Sequence, residues 1–186
     1  MIDKTKIEQA VASIIEAIGE DPKREGLVGT PRRIAEMYAE VFAGIYQDPK
    51  GELQVGFEEE HHEMVILKNI PFYSMCEHHF LPFYGSVHIG YIPSGRVVGA
   101  SKMGRVVEIL AKRPQLQERL TTQIADIIVE VLQPQGVAVV VQAEHLCMNM
   151  RGVKKPGSNI VTSATRGLFR RSPLTRSEFL SLVQGK

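Results

Sequence analysis

The chain has only two cysteines, Cys76 and Cys147, in 186 residues, which argues against a disulfide-stapled scaffold. No apolar run approaches the ~20 residues needed to span a bilayer, so an integral membrane protein is not expected. Excess charge is also lacking. The net charge is +1, with 22 basic residues against 21 acidic ones, and this balance argues against a general nucleic-acid binder. Internal repeats and low-complexity tracts are absent. A G-x-x-x-x-G-K-[ST] loop is missing too, so a P-loop nucleotidase is not expected. The polar, amphipathic start from Met1 to Lys6 does not have the character of a signal peptide, and a reducing cytoplasm is the expected compartment.

What is present sits around the two cysteines. Cys76-Glu77-His78-His79 and His145-Leu146-Cys147 read as two halves of one metal site. Zinc takes thiolate and imidazole ligands, and C-x-x-H lets one turn of chain grip one ion. A structural zinc has four protein ligands, whereas a catalytic zinc has three and an open position. Cys76, His79 and Cys147 give three, leaving His78 and His145 beside the open position. A disulfide or two buried thiols are the competing readings, and neither explains why both cysteines have histidines at ligand spacing. His61, His62 and His88 have no such company and read as surface or structural residues.

Charge is unevenly spread along the chain. Glu58, Glu59, Glu60 and Glu63 cluster ahead of the first expected main strand, while residues 146–177 contain no acid but carry Arg151, Lys154, Lys155, Arg166, Arg170, Arg171 and Arg176. A solvated basic face or a site for a small anion accounts for this stretch.

At 186 residues the chain can bury one substantial core with a small helical appendage. Ile7, Val11, Ile14, Ile15 and Ile18 form one helical stripe ended by Gly19. Thr30-Pro31 has the form of an N-cap followed by proline, opening a helix that gathers Ile34, Met37, Tyr38, Val41 and Ile45 and stops near Asp48-Pro49. Strands are expected over 64–70, 84–92, 97–100, 137–150 and 160–165. Ser101 is placed to cap a helix to about Lys112, and Pro114 to start another through Leu116, Leu120, Ile124, Ile127 and Val131. Thr175-x-x-Glu178 reads as a capping box before a terminal helix. The pattern implies α+β with an antiparallel sheet and paired helices. In a strand over 137–150, His145 and Cys147 would share one face.

Lys102 and Arg105 lie at the start of a helix, where cations are disfavoured and anions favoured. Arg32 and Arg33 repeat the oddity after Thr30-Pro31. Together they suggest phosphates bound at helix N-termini. Glu118, near the start of its own helix, either complements the dipole or reads the donor edge of a base.

Residues 76–85 (CEHHFLPFYG), 101–105 (SKMGR), 113–121 (RPQLQERLT) and 144–152 (EHLCMNMRG), with 30–38 (TPRRIAEMY) and 162–169 (TSATRGLF), closely resemble GTP cyclohydrolase I. The resemblance implies the tunnelling fold, with an N-terminal helical segment over 1–50 and a catalytic domain over 51–186. It also implies one zinc ion per subunit and a ring-shaped homodecamer with intersubunit active sites. Carried over residue by residue, it implies zinc ligands Cys76, His79 and Cys147 and catalytic histidines His78 and His145. Guanine recognition falls on Glu118 beside Gln117, and triphosphate contacts fall on Ser101, Lys102, Arg105, Arg151 and Arg33. The implied substrate is GTP, converted to 7,8-dihydroneopterin triphosphate and formate as the first step of tetrahydrofolate or pterin biosynthesis. His145 would protonate guanine N7, and His78 would assist nearer the ribose. The alternatives are a non-catalytic zinc-stabilised binding module using the basic stretch, or another pterin enzyme of the same fold. The first needs neither free histidines nor Glu118, and the second needs no triphosphate residues in two separate helices.

Overall fold

In the computed structural model, which describes residues 1–185, the chain opens with α1 (Lys4–Ala17) and α2 (Thr30–Val41), a 3-10 turn (Ala43–Tyr46) and the short α3 (Lys50–Leu53). Next come β1 (Gly56–Glu58), β2 (Val65–Cys76), β3 (Pro82–Ile92), β4 (Arg96–Val98), α4 (Ala100–Ala111), β5 (Pro114–Gln115) and α5 (Gln117–Leu132). β6 (Gly136–His145), α6 (Leu146–Asn149), β7 (Asn159–Gly167), α7 (Leu168–Arg171) and α8 (Pro173–Gln184) follow. The five-stranded main sheet has the order β5-β2-β3-β6-β7. It is antiparallel except where β5 bridges β2 in parallel. β1 and β4 pair separately. Among the described residues no helix is long and apolar enough to cross a membrane.

Period-two alternation decides how the sheet is covered. Along β6, Val137, Val139, Val141 and Ala143 join the core made with Met103, Val107 and Leu110 of α4 and Leu120, Ile124 and Ile128 of α5. The intervening Ala138 and Val140 pack instead with Phe169 of α7 and Phe179 of α8. The expected helix pair is therefore α4 and α5, and the C-terminal helices cover part of the other face. Gly90 makes room for them, since a Cβ there would lie 2.6 Å from the Phe179 ring.

Several elements depart from the sequence expectation, each for a local reason. β2 does not stop at Ile70 but runs through Pro71 to Cys76, after a bulge between Leu67 and Ile70. Pro71 lies where β2 is paired only with β3, so a residue without an N–H is tolerated. β6 ends at His145, which pairs with Phe83; the single β3 residue beyond it, Pro82, has no N–H with which to extend the ladder. Cys147 consequently lies in α6, and the shared strand face expected for His145 and Cys147 does not exist. Pro114 belongs to the bridge with Met75 and does not open a helix; α5 starts at Gln117. Gly99 and Gly29, with no side-chain cap bond, precede α4 and α2 in place of Ser101 and Thr30. α2 stops at Val41, short of Asp48, because the 3-10 turn packs its backbone on α4. There Gly44 N donates to Lys112 O at 3.0 Å, and a Cβ on Gly44 would sit 2.0 Å from Ile109 O. Ser172 caps α8, its Oγ accepting from Thr175 N at 3.2 Å, so Thr175 is not the cap.

Candidate metal centre and active site

β2 delivers Cys76 as its last residue, and the chain then reverses tightly. Cys76 N donates to Leu81 O at 2.9 Å, while Cys76 O accepts from His79 N at 3.3 Å and Phe80 N at 2.8 Å. Phe80 takes a left-handed backbone (φ +52°) to close this turn. The β3–β6 register sets His145 opposite Phe83, so α6, starting one residue later, carries Cys147 up to the same turn. The ligand atoms of Cys76, His79 and Cys147 all lie within 4.8 Å of one another, and both thiols are free.

The donor set suits a metal ion. Two sulfurs and one imidazole nitrogen are a zinc-type set, for which donor-to-donor spacings of roughly 3–4 Å are required by tetrahedral geometry. Burial, and then the neighbouring Cys76, push the Cys147 thiol above its ordinary range. Two facing thiols resist ionising together, and a divalent cation between them reverses that preference. His78 and His145 do not belong to this group.

His145 is buried at the end of β6 and stacks on Phe83, with centroids 4.6 Å apart and rings 8° from parallel. Its Nε2 lies 2.8 Å from Gln117 Oε1. The Gln117 amide nitrogen donates to Val141 O (3.1 Å), Ile160 O (2.9 Å) and Thr162 Oγ1 (3.2 Å). Backbone carbonyls only accept, so the amide has one possible orientation and Oε1 must face the histidine. His145 Nε2 therefore carries hydrogen, which leaves Nδ1 as the unprotonated nitrogen of the neutral ring. Burial lowers the His145 pKa, with the Glu118 charge opposing. Gln117, expected beside the base, is fully buried and has its amide engaged with His145 and the sheet. Glu118 is exposed one residue on.

The expected phosphate residues fall in three places. Ser101 and Lys102 occupy the first turn of α4, with Arg105 a turn further. Lys102 Nζ and Arg105 Nη1 both pair with Glu52 Oε2, at 3.3 Å and 3.4 Å. Nothing local in the sequence marks Glu52 for this role. Arg151 is exposed beyond α6, where its charge reaches the Cys147 thiol, and Arg33 is exposed on α2. The metal trio lies by the opposite end of α4, since Ala111 O accepts from Ser74 Oγ at 2.7 Å, two residues before Cys76. Lys102 and Ala111 are separated by about 13 Å of helix rise. His88 proves structural, as Asn69 N donates to its buried Nδ1 at 3.3 Å.

The family pattern described as GTP cyclohydrolase I matches residues 7–184. A GTP cyclohydrolase 1 of Dehalococcoides mccartyi is 64% identical, with all of both chains covered. One from Carboxydothermus hydrogenoformans is 64% identical over 98% of this chain and 96% of that one. Another, from Thermoanaerobacter pseudethanolicus, is 59% identical over the full length of both. Matched in this way along its length, the chain belongs to the GTP cyclohydrolase I family.

Proposed function

We propose that the protein opens the imidazole ring of GTP, releases C8 as formate and recloses the product on the rearranged ribose, giving 7,8-dihydroneopterin triphosphate. The observation that carries this reading is the meeting of the Cys76–His79–Cys147 trio with the α5 start, which holds His145 through Gln117 and presents Glu118 next to it. One zinc ion per subunit would be held by Cys76, His79 and Cys147 and would supply Lewis acidity for activating water. His145, as the imidazolium, gives the Nδ1 proton to guanine N7 and returns to the Nε2–H form that Gln117 holds. Burial makes its imidazolium a stronger acid than an exposed one, which favours that transfer. His78, exposed on the turn beside the trio, serves proton transfers nearer the ribose. Glu118 accepts the N1–H and 2-amino protons of guanine; adenine has neither, so ATP would leave the carboxylate unpaired. Gln117 acts through His145 in this reading.

Ser101, Lys102, Arg105, Arg151 and Arg33 hold the triphosphate, which displaces Glu52 from its two cations. The placement of these cations at one end of α4 and of the metal trio at the other supports sites shared between copies of the chain, in a homodecamer. Residues 1–50 then form a helical segment and 51–186 the catalytic domain. The reaction opens tetrahydrofolate or pterin synthesis in the cytoplasm. Zinc-loaded protein incubated with GTP should release formate and dihydroneopterin absorbance in equal amounts and leave ATP unchanged. Absence of either product from GTP would overturn the assignment.

A further inference from the structure

Glu77 stands between the ligand Cys76 and His78, yet nothing in the proposed reaction uses it. Its carboxylate is gripped by the Arg119 guanidinium through two bonds, Nη1 to Oε2 at 2.5 Å and Nη2 to Oε1 at 3.0 Å. Its backbone N–H donates to Gln115 O at 3.0 Å. The turn that carries His78 and His79 is thus fastened at one residue, by main chain and side chain, to the segment that leads into α5.

Two features separate this pair from an ordinary surface ion pair, which contributes little. The first is the planar two-bond fork, which fixes direction as well as distance and which a lysine cannot reproduce. The second is position. Arg119 is the third residue of α5, where a cation opposes the helix dipole. The pair therefore does not serve the helix, and what it organises is the turn. Successive helical residues diverge by about 100°, so three neighbours at the α5 start address three parts of the site. Gln117 reaches His145 and Arg119 reaches the metal-ligand turn, with Glu118 exposed between them.

We infer that Arg119 is a positioning residue which, through Glu77, holds the metal-ligand turn in its binding shape and ties metal retention to the first turn of α5. This rests on the zinc reading of Cys76, His79 and Cys147. The test is the zinc dissociation constant of the purified full chain, by competition with a chromophoric chelator, for wild type, Arg119→Ala, Arg119→Lys, Glu77→Gln and the double variant Arg119→Ala/Glu77→Gln. Losing such a supporting contact typically weakens metal binding about 10–100-fold. We expect that range for Arg119→Ala and for the near-isosteric Glu77→Gln, only partial recovery in Arg119→Lys, and no further loss in the double variant. At saturating zinc, kcat for GTP should fall more than KM rises. Wild-type zinc affinity in Arg119→Ala and Glu77→Gln, or fully additive losses in the double variant, would overturn the inference. Failure of the wild type to bind zinc would instead overturn the metal assignment beneath it.

Discussion

Replacing Gln117 by leucine is the most exacting test of the site, because it removes one hydrogen-bonding group and nearly preserves volume. The Gln117 side chain accepts from His145 Nε2 and donates to Val141 O, Ile160 O and Thr162 Oγ1. In the variant His145 keeps a buried N–H with no acceptor, at a cost of about 1–3 kcal/mol. The carbonyls of Val141 and Ile160 lie in paired strands, and a carbonyl has two lone pairs, so each loses one bond worth about 1 kcal/mol without being stranded. The added apolar burial of leucine offsets part of this. A net loss of about 3 kcal/mol follows, which for a chain of this size lowers the melting temperature by roughly 6–12 °C. The catalytic effect is separate. Without Oε1 nothing selects the Nε2–H form of His145, and the rate should fall by up to the ~10²–10⁴-fold that one general acid contributes. Zinc content should stay at one per subunit, since Gln117 touches none of the ligands. Formate release, zinc analysis and nitrogen-15 NMR of the His145 ring measure the three quantities. A neutral His145 ring protonated at Nδ1 and not at Nε2 in the wild type, or normal kcat in Gln117→Leu, would refute the reasoning.

Three further outcomes are expected. Alanine at Cys76, His79 or Cys147 should abolish turnover, while chelation leaves far-ultraviolet circular dichroism largely intact, because the core is built mainly by apolar side chains of α4, α5 and the sheet, to which the trio contributes only Cys76 and, packed against it, Cys147. Near-normal activity with little bound metal in any of them would discard the ligand set. Mixing Lys102→Ala or Arg33→Ala subunits with His145→Ala subunits should restore activity in hybrids if phosphate cations come from a neighbouring copy; mixed oligomers with no recovery would mean each site is built from one chain. Burial and the Lys68 charge lower the His88 pKa from 6.5, so below pH 6.5 the unfolded chain takes up a proton that the native one refuses. The stability this contributes is complete above 6.5 and declines as pH falls toward the folded value. His88→Gln should flatten part of that decline in urea midpoints measured from about pH 5 to about pH 8, and an unchanged slope would exclude His88 as its source.

The metal halves were legible because ligand spacing is local: Cys76 and His79 belong to one turn, and the apolar, valine-rich run from Val137 to Val141 announces the strand that ends at His145. How far that strand runs was not legible. It ends where its partner β3 ends, a matter of register between segments far apart in sequence, and so Cys147 enters the site from a helical turn. The same reason hid the partners of the site residues. Glu52 lies 50 residues from Lys102, and Glu77 lies 42 from Arg119; no periodicity links either pair. Lys102 stood out as a cation at a helix start, whereas Arg119 did not, because α5 begins only at Gln117 and not at Pro114. Lys102 shares its acid, Glu52, with Arg105 through single contacts, whereas Arg119 is locked in a two-bond fork.

The run from Pro114 to Arg119 shows why a short stretch of sequence can carry so much of the site. Pro114 pairs with Met75 and needs no N–H at the start of a strand. Gln115 pairs with Cys76, and its buried amide donates to Leu110 O at 3.0 Å and Gln123 Oε1 at 2.9 Å. The metal-bearing end of β2 is thereby fixed to the end of α4 and the flank of α5 before α5 begins. Gln117 then reaches His145 on the face of the sheet that α5 covers, and Arg119 returns to Glu77 on the turn. A shift of α5 by one residue would rotate all three of Gln117, Glu118 and Arg119 by about 100° and release His145 and the ligand turn together. His145, Glu118 and the Cys76–His79 turn are therefore set by one helix register, anchored at Gln115.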